Sequence, residues 1–259
     1  LTGSPNMKRA NEWTRQQLAE WGLANAHLET WGPFGRGWTW EAASLRMVSP
    51  TDTSLVAIPK AWTPGTQGPV RGHAVKVKLE SEADLEKQKG KLAGKIILLG
   101  EPKEIKPHDK PELERYDAKG LDELWQYNTA PRREFDRAEF ARRRAFRKPL
   151  AEFLAGEKVA ALLEPGSGGD GGTFDVGGSG FYKKEDPAGV PTLVVAAEHY
   201  GRMSRLLDAK RSVDLEVDVR TRYHDEDSMG YNTLAELPGT DKTGEVVMIG
   251  AHLDSWHSG

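Results

Sequence analysis

The chain has 259 residues, of which 37% are hydrophobic and 29% are charged, and its formal net charge is −3. This composition is typical of a soluble globular protein with one large domain or two modest ones. The charge argues against a nucleic-acid binder that works through bulk electrostatics, and no apolar run approaches the roughly 20 residues of a transmembrane helix. The absence of cysteine excludes disulfides and thiolate metal sites. The chain starts at Leu1 without a signal segment, so we expect that a leader has been removed or that the true N-terminus is missing.

The first third of the chain carries clear helix and strand signals. Ser4 is a suitable helix N-cap before proline, and Gly22 suits a left-handed C-cap, so residues 5–21 are predicted to form an amphipathic helix. Strands are predicted at residues 26–31, 43–48 and 54–59, with a loop at 32–37 and a boundary signal at 63–69.

Further strands and helices are predicted along the rest of the chain. Strands are predicted at 72–79, 94–100, 159–163, 191–196, 215–223 and 231–237, and helical segments at 82–89, in the second half of 103–150, and at 198–207. Residues 238–244 have turn composition, and the apolar, β-branched residues 246–251 predict a final strand. Because the connection is short, residues 231–237 and 246–251 should pair antiparallel.

A histidine and an aspartate follow this last predicted strand. His252 and Asp254 are two positions apart, so both side chains face the same side of an extended chain. A neutral imidazole is a common zinc ligand, and a nearby carboxylate that accepts its other ring N–H fixes the tautomer. The glycine at position 250 allows close approach of the backbone. The alternative is a surface histidine near an aspartate after an ordinary strand, and the spacing alone does not decide between them.

The residues around this pair resemble the start of the catalytic core in a zinc exopeptidase family. It is the family of bacterial leucyl aminopeptidases, aminopeptidase Y and glutamate carboxypeptidases, including the plasma glutamate carboxypeptidases. Its Asn-x-x-Ala-x-x-Pro-Gly and Gly-x-His-x-Asp-Ser patterns match Asn232, Ala235, Pro238 and Gly239, then Gly250, His252, Asp254 and Ser255. The resemblance implies that His252 binds one zinc ion of a two-zinc site and that Asp254 orients His252.

The resemblance extends over nearly the whole chain. Residues 1–5 and the helix after them resemble the family's N-terminal segment, and residues from about 70 to 215 resemble the protease-associated domain inserted in many members. It implies an α/β fold, with an incomplete mixed-sheet exopeptidase core and an inserted β-rich domain. The predicted divisions are 1–68 for the N-terminal part of the peptidase domain, 69–218 for the inserted domain and 219–259 for the start of the catalytic core.

The chain departs from the family pattern at its end. The family's bridging aspartate, glutamate base and remaining zinc ligands follow the histidine motif, so we expect them beyond Gly259. In the complete protein the resemblance implies two zinc ions that activate a water molecule while the glutamate moves the proton. It implies a secreted or periplasmic enzyme that cuts a peptide or dipeptide one residue from an end. The inserted domain would restrict access to the site or contribute to a homodimer.

Two other classes of protein are compatible with the same residues. Some relatives with this architecture have lost zinc ligands and act as receptors, so a non-catalytic binding protein is the main alternative. An unrelated α/β hydrolase with a single metal is a third. The sequence leaves open which end of the substrate is trimmed, the side-chain preference and the oligomeric state.

Several further motifs favour ordinary structural roles. Residues 166–171 match the dinucleotide-binding fingerprint, but 172–180 continue as loop, so a surface loop is predicted. The basic segment 132–148 is interleaved with acidic and apolar residues, which favours an amphipathic helix with a solvated face over a nucleic-acid site. His257 is predicted to have a structural or substrate-side role, and Trp256 to lie near a substrate pocket. Ser255 lacks the Gly-x-Ser-x-Gly pattern of a nucleophile.

Overall fold

The computed structural model describes residues 1–106, 108–109, 111, 113, 115–125, 136–167, 169–178, 180–242 and 244–258. Within these residues the chain forms five helices and ten strands. The helices are α1 (Pro5–Glu20), α2 (Glu82–Gln88), α3 (Ala118–Trp125), α4 (Arg137–Gly156) and α5 (Ala197–Asp208). The strands are β1 (Ala24–Trp31), β2 (Gly37–Ser49), β3 (Thr53–Leu55), β4 (Ala57–Pro59), β5 (Val70–Lys76), β6 (Ile96–Leu98), β7 (Ala161–Pro165), β8 (Thr192–Val195), β9 (Asp214–His224) and β10 (Gly230–Glu236).

Eight of these strands form one mixed sheet in the order β3-β2-β9-β5-β6-β7-β8-β4. The pairs β5–β6, β6–β7 and β7–β8 are parallel, and the other pairs are antiparallel. Parallel neighbours need a crossover connection, which α2 supplies between β5 and β6, and α3 and α4 supply between β6 and β7. The predicted α/β fold with a mixed sheet is confirmed.

The sheet has a hydrophobic core on each face, and β6 contributes to both. Ile96 and Leu98 belong to the cluster that includes residues of α5, whereas Ile97 belongs to the cluster that includes residues of α2 and α4. All three side chains are fully buried. Successive side chains of a strand point to opposite faces, so a sheet covered on both sides needs a continuous apolar run.

A separate sheet of two antiparallel strands, β1 and β10, packs against α1. Asn11 of α1 is buried and accepts a hydrogen bond from the Thr233 hydroxyl of β10 at 2.9 Å. Lys8 of α1 donates to Asp227 at 2.6 Å, and the same carboxylate accepts from the Tyr231 hydroxyl at 2.6 Å. These contacts fix the strand that leads into the last residues of the chain.

Most of the predicted elements are confirmed with shifts at their ends. Ser4 caps α1 by accepting from the Met7 amide, and the alternation in β9 buries Leu215, Val217 and Val219. No helix begins in the described part of 172–180, which agrees with the predicted surface loop. The basic helix α4 begins only at Arg137. Its predicted members Arg132 and Arg133, and Gly168 of the glycine-rich loop, lie outside the described residues.

The predicted strand at residues 246–251 is wrong. The structure assigns no strand there, and the side chains of Val246, Val247, Met248 and Ile249 are 89%, 93%, 89% and 93% exposed. The expected partner β10 pairs with β1 instead. A strand requires a neighbour for its backbone N–H and C=O groups, and an apolar pattern does not say which neighbour that is.

The large sheet takes strands from each of the three predicted divisions of the chain. Strands β2 to β4 come from residues 1–68, β5 to β8 from 69–218, and β9 crosses position 218. The inserted domain and its limits stay a prediction. In the part of the chain that the structure describes, no helix has the length and apolar character needed to cross a membrane.

Candidate metal centre

The two residues singled out by the sequence lie in direct contact. The Nδ1 atom of His252 is 2.8 Å from Oδ1 of Asp254. The His252 side chain is 94% exposed, so its second ring nitrogen, Nε2, is open to solvent. The geometry is that of a histidine whose one nitrogen is held by a carboxylate while the other is presented outward.

The other oxygen of the Asp254 carboxylate is also engaged. The Thr2 hydroxyl donates to Oδ2 of Asp254 at 2.5 Å. The hydrogen bonds from Thr2 and then from His252 hold the pKa of Asp254 below its usual range, because they stabilise the charged form. An ionised carboxylate only accepts hydrogen bonds, so Nδ1 of His252 donates in this contact, and Nε2 is the ring nitrogen that faces away from Asp254.

This pair lies on the wall of a wide groove of about 1560 Å³. The groove is bounded by α1, by β10 and by residues 248–254. It is therefore formed by the beginning of the chain and by its last residues, while the eight-stranded sheet lies mainly outside it. The groove thus places His252 and Asp254 on a surface that also includes residues of α1 and β10.

The donor chemistry fits one zinc ligand with its orienting carboxylate. An outward-facing imidazole nitrogen whose tautomer is fixed by a carboxylate is the usual form of a zinc-binding histidine. Among the described residues, however, no group of three or more histidine, cysteine, aspartate or glutamate side chains is placed to hold a metal. The roles of His252 as a zinc ligand and of Asp254 as its orienting carboxylate thus stay predictions.

His257 has a different environment from His252. Its Nε2 atom donates to the backbone carbonyl of Pro59 at 2.6 Å, and its ring meets Trp38 edge-on with centroids 5.1 Å apart. Burial lowers the pKa of His257, partly offset by the bond to Pro59. The geometry supports the structural interpretation of this residue over a ligand role.

Trp256 contacts the glycine-rich segment rather than lying free. Its side chain is half-exposed, and a Cβ placed on Gly178 would lie 3.6 Å from its ring and 3.4 Å from the ring of Trp62. Residues 177 and 178 therefore approach the segment that carries His252. The placement of Trp256 beside a substrate pocket stays a prediction.

Two features of the groove were missed by the sequence analysis. The Thr2 hydroxyl and the cluster of Lys8, Asp227 and Tyr231 lie on the groove but stand far apart in the sequence. Thr2 belongs to the N-terminal segment that carried part of the family resemblance, yet nothing in its spacing points to Asp254. Only the folded chain brings the two together.

The chain is similar over its whole length to carboxypeptidase Q from several vertebrates. It is 26% identical over 265 residues to the mouse (Mus musculus) protein and 27% identical over 262 residues to the cattle (Bos taurus) protein. Each alignment covers 100% of this chain and 47% of the relative, so the chain spans about half the length of the curated relatives it matches. No family model matches the chain.

A solved structure shares the fold. A peptidase M28 precursor from Shewanella amazonensis SB2B superposes with a TM-score of 0.62 and 21% sequence identity, covering 99% of this chain and 51% of that chain. The likeness shows a common fold. Together with the carboxypeptidase Q similarity, it confirms the predicted resemblance to the zinc exopeptidase family.

Proposed function

We propose that this chain forms the N-terminal part of a di-zinc metallo-exopeptidase that hydrolyses the terminal bond of peptides or dipeptides. The observation that carries the proposal is the contact between His252 and Asp254, which leaves Nε2 of the histidine facing the solvent. The similarity to carboxypeptidase Q over the whole of this chain and the fold shared with a peptidase M28 precursor support it.

In this proposal His252 holds one zinc ion through Nε2, and Asp254 keeps the proton on Nδ1. When bound, zinc acts as a Lewis acid and lowers the pKa of a bound water. The contribution of this chain is orientation, because the carboxylate fixes both the tautomer and the ring direction before any metal arrives. The groove beside α1 and β10 would receive the peptide.

The proposal covers both an aminopeptidase and a carboxypeptidase. Two relatives are named for carboxypeptidase activity, whereas the solved structure is named only as a peptidase. Secretion or a periplasmic location, and assembly into a homodimer, are proposed on the family resemblance alone.

The first test is to sequence the coding DNA past the codon for Gly259. The proposal expects an aspartate about ten residues further on, then a Glu-Glu pair, another aspartate and a distal histidine, since a two-zinc site needs about this many further groups. An immediate stop codon, or other residues in place of these acids, would contradict the peptidase proposal and favour a binding protein.

The second test counts zinc in the full-length protein and follows the release of amino acids from unblocked dipeptides. Two zinc ions per chain and activity abolished by a chelator are expected, whereas a receptor-like relative would hold none and a single-metal hydrolase one. Asp254→Ala should weaken zinc binding roughly 10–100-fold, as is typical when a partner of a metal-ligating histidine is removed.

A matched control is available in another exposed histidine–aspartate pair. The His73 ring contacts the Asp214 carboxylate across the paired strands β5 and β9. His252→Ala should lose zinc and activity, whereas His73→Ala should lose neither. Activity that survives both His252→Ala and a chelator would rule out the metal proposal.

A further inference from the structure

We infer that Thr2 is a positioning residue for the metal ligand, because it fixes the carboxylate that in turn orients His252. This inference rests on the proposed function of His252 as a zinc ligand. It assigns a role to a residue at the other end of the chain from the histidine, 250 positions away in the sequence.

The geometry gives each oxygen of Asp254 one donor. Oδ2 accepts from the Thr2 hydroxyl at 2.5 Å, and Oδ1 faces Nδ1 of His252 at 2.8 Å. The torsion that turns an aspartate carboxylate is broad, so one contact from an exposed histidine ring does not hold it. A second donor on the opposite oxygen restricts that rotation and keeps Oδ1 directed at the imidazole.

Thr2 itself lies in a local turn that leads directly into α1. The Ser4 amide donates to the Leu1 carbonyl at 3.1 Å, so residues 1–4 form a turn, and the Ser4 side chain then caps α1. The next residue, Gly3, has a φ of +78°, and a Cβ there would lie 2.8 Å from the Phe34 ring. Since a β-branched side chain also has a restricted χ1, few directions are open to the Thr2 hydroxyl.

A purely structural role for Thr2 predicts something different. If the hydroxyl only tied the start of the chain to its last residues, its removal would lower the stability of the fold and leave the intrinsic affinity for zinc unchanged. The positioning role predicts instead that removing the hydroxyl lowers the affinity for zinc, and that this loss occurs only when Asp254 is present. A double-mutant cycle separates the two.

The experiment measures zinc dissociation constants by chelator competition in the full-length protein, together with thermal unfolding midpoints without metal. The variants are Thr2→Val, which keeps the shape and removes the hydroxyl, Thr2→Ser, which restores it, Asp254→Asn, and the double variant. Thr221→Val is the matched control, because it removes a threonine hydroxyl of β9 that donates to the backbone carbonyl of Thr63.

The inference expects Thr2→Val to weaken zinc binding roughly 3–10-fold, less than the loss of a direct partner of the histidine. Thr2→Ser should recover the affinity, Thr221→Val should retain it, and Thr2→Val should add nothing once Asp254→Asn is present. Unchanged affinity in Thr2→Val, or losses that add in the double variant, would overturn the role of Thr2 while leaving the peptidase proposal intact. A wild-type protein that binds no zinc would overturn both.

Discussion

Two apolar segments of this chain have nearly the same character and opposite environments. The three residues of β6 are fully buried between β5 and β7, with helices on both faces of the sheet. Residues 246–249 are as apolar and as rich in β-branched side chains, yet each is about nine-tenths exposed. The comparison shows that an apolar, β-branched run is compatible with a strand. The run forms a strand only where a neighbouring strand lies on at least one side of it.

The largest difference should appear when one isoleucine is truncated in each segment. In the 259-residue chain, Ile97→Ala should lower the free energy of unfolding by about 3 kcal/mol, because it leaves a cavity in a packed core. Ile249→Ala should change it by less than about 0.5 kcal/mol, because the side chain is already in water. Urea unfolding measures both, and equal losses would show that residue 249 is buried in solution and would remove the basis of the comparison.

Glycines extend the comparison from side chains to the backbone. A Cβ on Gly180 would clash with the Trp62 carbonyl oxygen, so Gly180→Ala must displace the backbone next to the large sheet. We expect a loss of about 2 kcal/mol, which is within the usual range for overpacking. Gly239→Ala, where a Cβ would meet no atom within 4 Å, should be nearly neutral. A thermal unfolding midpoint equal in the two variants would contradict the close approach of residues 62 and 180.

The smallest effect concerns the ion pair that ties α1 to the residues before β10. Hydrogen bonds from Lys8 and Tyr231 lower the pKa of Asp227 from its ordinary value of 3.8 to about 2. A carboxyl with a lowered folded-state pKa stabilises the fold above the unfolded value, and this contribution disappears as the pH falls from about 4 to 2. Because both side chains are about a third or more exposed, the contribution should be about 0.5–1 kcal/mol.

Asp227→Asn tests this pH dependence. Unfolding by urea at pH 5 and at pH 2.5 should show that the variant loses less stability on acidification than the wild type, by this amount. An identical pH dependence in the two proteins would show that the ion pair does not persist in solution.

The elements that the sequence predicts well are those specified by neighbouring residues. The Ser4-Pro5 start of α1 and the alternation of β9 depend on residues a few positions apart, and both are confirmed. The pairing of β10 could not be predicted in the same way. Its partner β1 lies about 200 residues earlier, whereas the short turn at 238–244 pointed to residues 246–251.

The same distinction between local and distant contacts applies to the candidate site. The spacing of His252 and Asp254 is local, so the sequence could predict that the two side chains lie on the same side of the chain, and the structure places Nδ1 of His252 2.8 Å from Oδ1 of Asp254. The hydroxyl of Thr2 enters from the far end of the chain, and no periodicity or motif spacing connects it to Asp254. Contacts between distant parts of a sequence depend on the assembled fold and are invisible to local patterns.

The register of the two sheets also bears on the order in which the chain folds. Closing β1 on β10 from the unfolded chain joins Trp31 to Gly230, across 230 − 31 = 199 positions. In the large sheet Gly37 lies opposite His224, six positions from Trp31 and from Gly230 respectively. Once β2 and β9 have paired, the remaining loop is about a dozen residues, and the entropy cost of closing it falls by about 2.5 kcal/mol. We therefore expect the long pairing of β2 with β9 to form first and the strand that precedes His252 to join β1 only afterwards, which makes the candidate site at His252 and Asp254 a late product of folding.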